Sequence, residues 1–184
     1  RVRDAAGTGT YADVNRTQRA AVEEATSPAT PPGGQPARAY NVVEGLSMVK
    51  QPYGVMSEID LGKGELKWQV PHGDTPDNVR NHPALRGKNI PKTGQAGTSG
   101  IGLMVTKTLV VMGDPQVTTT PDHPRGAMFR AYDKTSGKEV GAVLMAAPQS
   151  GSPMTYTVEG KQYIVVAISG GSYSGEYIAF KLPG

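Results

Sequence analysis

Cysteine is absent from all 184 residues, which excludes disulfide frameworks, thiol nucleophiles and thiolate metal sites and leaves the redox state of the compartment open. Aromatics are scarce, with two Phe, one Trp and eight Tyr. No block of like charge occurs either: 19 basic residues against 16 acidic ones give a formal charge of +3, spread along the chain. Nucleic-acid binding needs a basic stripe or stacking aromatics, so no nucleic-acid partner is expected. No apolar run approaches the roughly 18 residues of a membrane-spanning helix, so no transmembrane segment is expected in this chain. The opening Arg1-Val2-Arg3-Asp4 lacks the apolar centre of a signal peptide.

Turn formers are abundant instead, with 24 Gly and 15 Pro, a composition that disfavours long helices. Residues 1–39 read as an irregular, Pro/Gly-rich segment, centred on TSPATPPGGQP at Thr26–Pro36, with a short helix over Asn15–Ala25 that Asn15 would cap. Residues 40–184 read as an all-β region. Short apolar and β-branched runs bounded by Gly, Pro, Asn or Asp predict nine strands, near 54–61, 66–70, 101–106, 108–112, 127–133, 140–145, 154–158, 162–168 and 177–182. A long insertion at 71–100 interrupts the series, and loops of that length usually carry function.

Two segments follow one pattern. In Glu58–Trp68 and in Ala131–Gly141 an Asp ends an apolar strand (Asp60, Asp133), a Gly follows four residues later (Gly64, Gly137), and a second strand starts at once. The chemistry is that of a hairpin: Asp accepts from turn amides, and Gly takes the positive φ. Further echoes recur 54 residues apart (Lys107–Met112 and Lys161–Val166) and 48 apart (Ala131-Tyr132 and Ala179-Phe180). Repeats near 50 residues with four strands each predict β-propeller blades. The chain would then hold the last two strands of one blade, a complete blade, and three strands of a final one. A sandwich with a site of its own would show no such offsets.

The Asp60–Trp68 segment resembles the tryptophan-docking repeat of quinoprotein dehydrogenases. The second copy, Ala131-Tyr132-Asp133 with Gly137-Lys138, fits its start better but has Gly141 in the Trp position, so its docking contact should be missing. Gly151–Ala167 (GSPMTYTVEGKQYIVVA) is similar to the final blade of the membrane glucose dehydrogenase subfamily, as are Trp68–Pro76 and Arg80–Pro83. The resemblance implies a partial eight-bladed propeller, pyrroloquinoline quinone (PQQ) and calcium as cofactors, an alcohol or sugar as substrate, a respiratory electron acceptor and a periplasmic location. It also implies that most base, calcium and quinone contacts lie on other blades, either a companion chain or the rest of the propeller, so the chain alone would be inactive. A non-catalytic scaffold or binding module is the alternative.

Within the chain, Gly97, Thr98 and Ser99 lead into one innermost strand, and Ser152 and Pro153 into another. Small residues with backbone donors there suit a flat anionic cofactor, or they reflect crowding of blades at the axis. Gly171 and Ser172 should form a loop at a propeller mouth, as a substrate contact or a plain turn. Where the resemblance places a substrate-pocket His, this chain has Ser172, which weakens the case for glucose itself. Asp114 is the carboxylate placed to face a mouth, with a turn role as the alternative. Asp60 and Asp133 read as turn caps, and Trp68 as packing between blades with its indole N–H on a neighbouring carbonyl. His72, His82 and His123 have no metal-ligand spacing and read as surface loop residues.

Overall fold

Strands form where β-branched and apolar residues run between turn formers, and the computed structural model, which describes residues 42–97, 101–170 and 173–181, arranges them as antiparallel meanders. A small hairpin pairs β1 (Val42–Val43) with β2 (Leu46–Ser47). Next, β3 (Val55–Asp60) pairs with β4 (Glu65–Pro71). The insertion that follows contains a four-residue helix, α1 (Asp77–Arg80), and a 3-10 turn at Pro83–Leu85. A full meander comes after it: β5 (Met104–Val105), β6 (Leu109–Gly113), β8 (His123–Asp133) and β9 (Glu139–Met145), with the short β7 (Thr118–Thr120) pairing the start of β8. The last meander is β10 (Met154–Val158), β11 (Lys161–Gly170) and β12 (Tyr173–Lys181).

This is the all-β architecture of propeller blades, in the two, four and three strand division that the repeats predict. The 54-residue echo joins β6 to β11, each the second strand of its meander, and the 48-residue echo joins β8 to β12, each the third. Among the described residues β1, β2 and β7 are additional, and each is only two or three residues long.

The two Asp hairpins share one turn. Asp60 Oδ1 accepts from the Gly62 and Lys63 amides at 2.9 and 3.2 Å, and Asp133 Oδ1 accepts from the Ser136 amide and hydroxyl at 2.8 and 2.7 Å. Those bonds hold the Asp133 carboxyl below the usual carboxylate range. Gly64 and Gly137 both sit at φ +70°, a conformation that a side chain resists.

Alternation along the strands decides which sheet each residue meets. On β6, Val111 joins a core with Ala127, Phe129, Met145, Val166 and Ile168, while Val110 and Met112 face Met56 and Tyr132. The full meander is therefore covered on both faces. Phe129 stacks on Phe180 of the last meander, centroids 5.6 Å apart. Toward the first meander, Trp68 donates its indole N–H to the Lys134 carbonyl at 3.0 Å, and a Cβ at Gly137 would lie 2.6 Å from the indole ring. Gly137 thus serves both the turn and the docking of Trp68. At Gly141, by contrast, an added Cβ would meet nothing among the described residues.

Candidate functional site

The insertion returns to the frame through a tight crossing. Tyr53 donates its amide to the Thr93 carbonyl at 2.7 Å, His72 to Gly54 at 3.0 Å, and Gln95 to His72 at 2.8 Å. Gly94, at φ +65°, has no room for a Cβ against the Gly54 and His72 backbone. Thr93, Gln95 and His72 are all fully buried. His72 is therefore a core residue and not the surface residue that its Pro/Gly neighbours suggested. Its Nε2 lies 3.0 Å from the Gly113 carbonyl and its Nδ1 2.9 Å from the Tyr132 hydroxyl. A carbonyl can only accept, so Nε2 carries the proton and Nδ1 accepts from Tyr132. Burial lowers the pKa of His72 and raises that of Tyr132, so both are neutral in the folded protein.

Beside this pair lies a charge network. Arg130, almost fully buried, holds Asp114 with two parallel bonds, Nε to Oδ1 at 2.7 Å and a terminal nitrogen to Oδ2 at 2.9 Å. The same guanidinium reaches Asp74 at 2.7 Å and Glu139 at 2.9 Å. Lys92 binds Glu139 at 2.7 Å and His123 binds Asp74 at 3.0 Å. Asp74 and Lys92 belong to the insertion, whereas Arg130, Glu139 and His123 belong to the full meander, so these bonds fasten one to the other. Burial alone would raise the pKa of Asp74 and Glu139, but their cationic partners hold both below the ordinary range. Arg130 is raised in turn: burial disfavours its charge, and Asp114, Asp74 and Glu139 more than offset that. Paired in this way, the cluster fastens the insertion to the full meander.

Asp114 accordingly occupies a different setting from the open pocket contact expected of it. It has no exposed surface, and its carboxylate also accepts from the Met128 amide at 3.3 Å.

A second locus lies where two meanders begin. The lead into β5 and the lead into β10 touch: Gly102 donates to the Gly151 carbonyl at 3.4 Å, and a Cβ at Gly102 would collide with the Ser152 hydroxyl. Ser152 is exposed, Pro153 is buried beneath it, and Gly97, also exposed, approaches Pro115. The start of the strand lead that follows residues 97–99 therefore meets the Ser152-Pro153 segment in space, through Gly102 and Ser152. Thr98, Ser99, Gly171 and Ser172 lie outside the described residues. Among the described residues no group of three or more His, Asp or Glu is placed to hold a metal ion, and no helix is long and apolar enough to cross a membrane.

Comparison with known proteins bears on the same segments. The family model for the β-propeller domain of PQQ glucose/ethanol/alcohol dehydrogenases matches residues 3–164. The chain belongs to this family. Quinoprotein glucose dehydrogenase A of Acinetobacter calcoaceticus is 29% identical over 181 residues, 94% of this chain and 21% of that protein. The quinate/shikimate dehydrogenase (quinone) of Acinetobacter baylyi is 29% identical over 147 residues, 73% of this chain and 16% of that protein. The quinoprotein glucose dehydrogenase of Escherichia coli is 28% identical over 192 residues, covering 98% and 20%. The chain spans about a fifth of the length of these curated relatives. Its sheets are thus part of a quinoprotein propeller, and Gly102 and Ser152 lead into the first strands of two successive blades.

Sequence reasoning missed Lys92, Arg130, Glu139 and Gln149. One signal was present: Arg130 shares a face of β8 with Met128 and Tyr132, and an Arg on such an apolar face needs a buried partner.

Proposed function

We propose that this chain supplies the closing blades of a PQQ-dependent dehydrogenase that oxidises an alcohol or sugar hydroxyl and passes the electrons to a respiratory acceptor in the periplasm. The observation that carries this reading is the junction of Gly102 with Ser152, where two blade-leading segments pack together and leave a small hydroxyl residue exposed. A flat anionic cofactor needs this combination of close backbone approach and polar donors. Bound quinone would supply two-electron oxidation of the hydroxyl-bearing carbon, and the residues of this chain would supply contact and orientation. Calcium, the proton-accepting carboxylate and most quinone ligands are assigned to the remaining blades, because the carboxylates clustered here are already paired with cations. The names of the relatives point to an aldose or a cyclic hydroxy acid as the substrate class.

The test joins this chain to its preceding blades, adds PQQ and calcium, and follows dye reduction with a panel of alcohols, aldoses and hydroxy acids. Turnover that depends on quinone and on at least one panel member is expected. Absence of both quinone binding and turnover in the completed propeller would leave a non-catalytic scaffold as the function.

A further inference from the structure

We propose that Gln149 is a positioning residue for the cofactor-facing junction, an inference that rests on the reading just given. Gln149 is buried, 2% exposed, and its amide is fully used. Its Oε1 accepts from the Gly113 amide at 2.6 Å, and its Nε2 donates to the carbonyls of Gly102 at 2.6 Å and Gly151 at 2.5 Å. The main chain of Gln149 is itself fixed, its amide donating to the Asp114 carbonyl at 3.2 Å and its backbone forming an isolated bridge to Ile168. One side chain therefore ties the end of β6 to the leads of two neighbouring blades. Space is reserved for it, since a Cβ on Gly113 would press on the Gln149 side chain at 2.8 Å.

Peptide geometry gives this tie a direction. In a trans peptide the carbonyl and the following N–H point to opposite sides. With the Gly151 carbonyl drawn inward to Nε2, the Ser152 N–H is turned outward, on the side away from Gln149. Gln149 thereby turns the Ser152 amide away from its own buried side, and Ser152, an exposed residue, carries its hydroxyl over Gly102. Two donors on one small exposed residue suit a carboxylate of the quinone.

The experiment uses the propeller completed by its preceding blades and titrates PQQ, in the presence of calcium, against wild type, Gln149→Glu, Ser152→Ala and the double variant at pH 5 and pH 8. Apo melting temperatures are recorded in parallel. In Gln149→Glu a protonated carboxyl can still donate to one carbonyl, whereas a carboxylate faces two carbonyl oxygens. Its affinity relative to wild type is expected to fall at least tenfold more at pH 8 than at pH 5. Ser152→Ala should weaken binding several-fold with an unchanged melting temperature, and the double variant should lose less than the product of the single losses, because Gln149 acts through Ser152. Wild-type affinity in Gln149→Glu at both pH values, or multiplicative losses in the double variant, would overturn the positioning role while leaving the quinone reading intact. Absence of PQQ binding by wild type would instead overturn the quinone reading, and this inference with it.

Discussion

Trp68 illustrates how one side chain can join two sheets. Its ring lies on Gly137 and its N–H meets a carbonyl 66 residues further along the chain. Trp68→Ala is expected to lower stability by about 3 kcal/mol, as large aromatic truncations do. Trp68→Phe keeps a ring and loses the hydrogen bond, a loss of about 1 kcal/mol; urea unfolding distinguishes the two, and equal losses would contradict the docking geometry. Arg130→Met should be severe, about 3–5 kcal/mol, because Asp114 would remain buried without its partner. Arg130→Met combined with Asp114→Leu should recover much of that loss, and denaturant midpoints of the single and double variants test it. The network holds three carboxylates (Asp74, Asp114, Glu139) against Arg130 and Lys92, so His123 completes the balance when protonated. Burial pulls the pKa of His123 down, but the Pro124 carbonyl and Asp74 more than offset this and raise it. The His123 contribution is therefore whole below the unfolded value of about 6.5 and fades as pH rises through the higher folded value. Asp74 and Glu139 work the other way, contributing above about pH 4 and losing that contribution in stronger acid. His72, with a lowered pKa, contributes above about 6.5 and opposes His123, so a difference between variants is the clean measure. The stability gap between wild type and His123→Asn should be wider at pH 6 than at pH 8.5, and a gap independent of pH would refute the pairing.

At the scale of elements, the insertion is held at a backbone crossing as well as by charge. Gly94→Ala would place a methyl against the Gly54 and His72 backbone, at a positive φ that disfavours any side chain. Hydrogen exchange should then show lost protection of the Tyr53 and Gln95 amides, which bond across this crossing, while amides of the β6–β8 ladder stay protected. Uniform loss across both sets would mean that the insertion and the meander open as one unit. The strands and the two Asp hairpins were legible in the sequence because period-two alternation and turn chemistry are local signals. The hairpin of β1 and β2 and the short β7 were not, since two or three residues carry no period. The charge network escaped for a different reason: Arg130 meets Asp74 across 56 residues, and only the fold brings that pair together. Asp114 was noticed, but its burial against Arg130 depends on which face of β8 turns inward.

For the whole molecule, the outer sheets carry apolar side chains open to water. Val55, Ile59 and Leu66 are exposed on the first meander, and Met154, Tyr156, Val158 and Tyr177 on the last, with Tyr177 81% exposed. Such surface favours association. The chain by itself should self-associate at micromolar concentration, and co-expression with the preceding blades should suppress this. Sedimentation velocity measures both, and a monodisperse monomer of the isolated chain would argue against faces meant for neighbouring blades.

The bare Gly141 position gives the two boundaries between meanders unequal leverage. The earlier one is stapled by an indole from β4, whereas the later one is gripped by the Phe129–Phe180 stack between third strands and by the Gln149 amide at the leads into first strands. Under torsion the last described sheet would turn about these two grips, like a leaf of a fan about its pin.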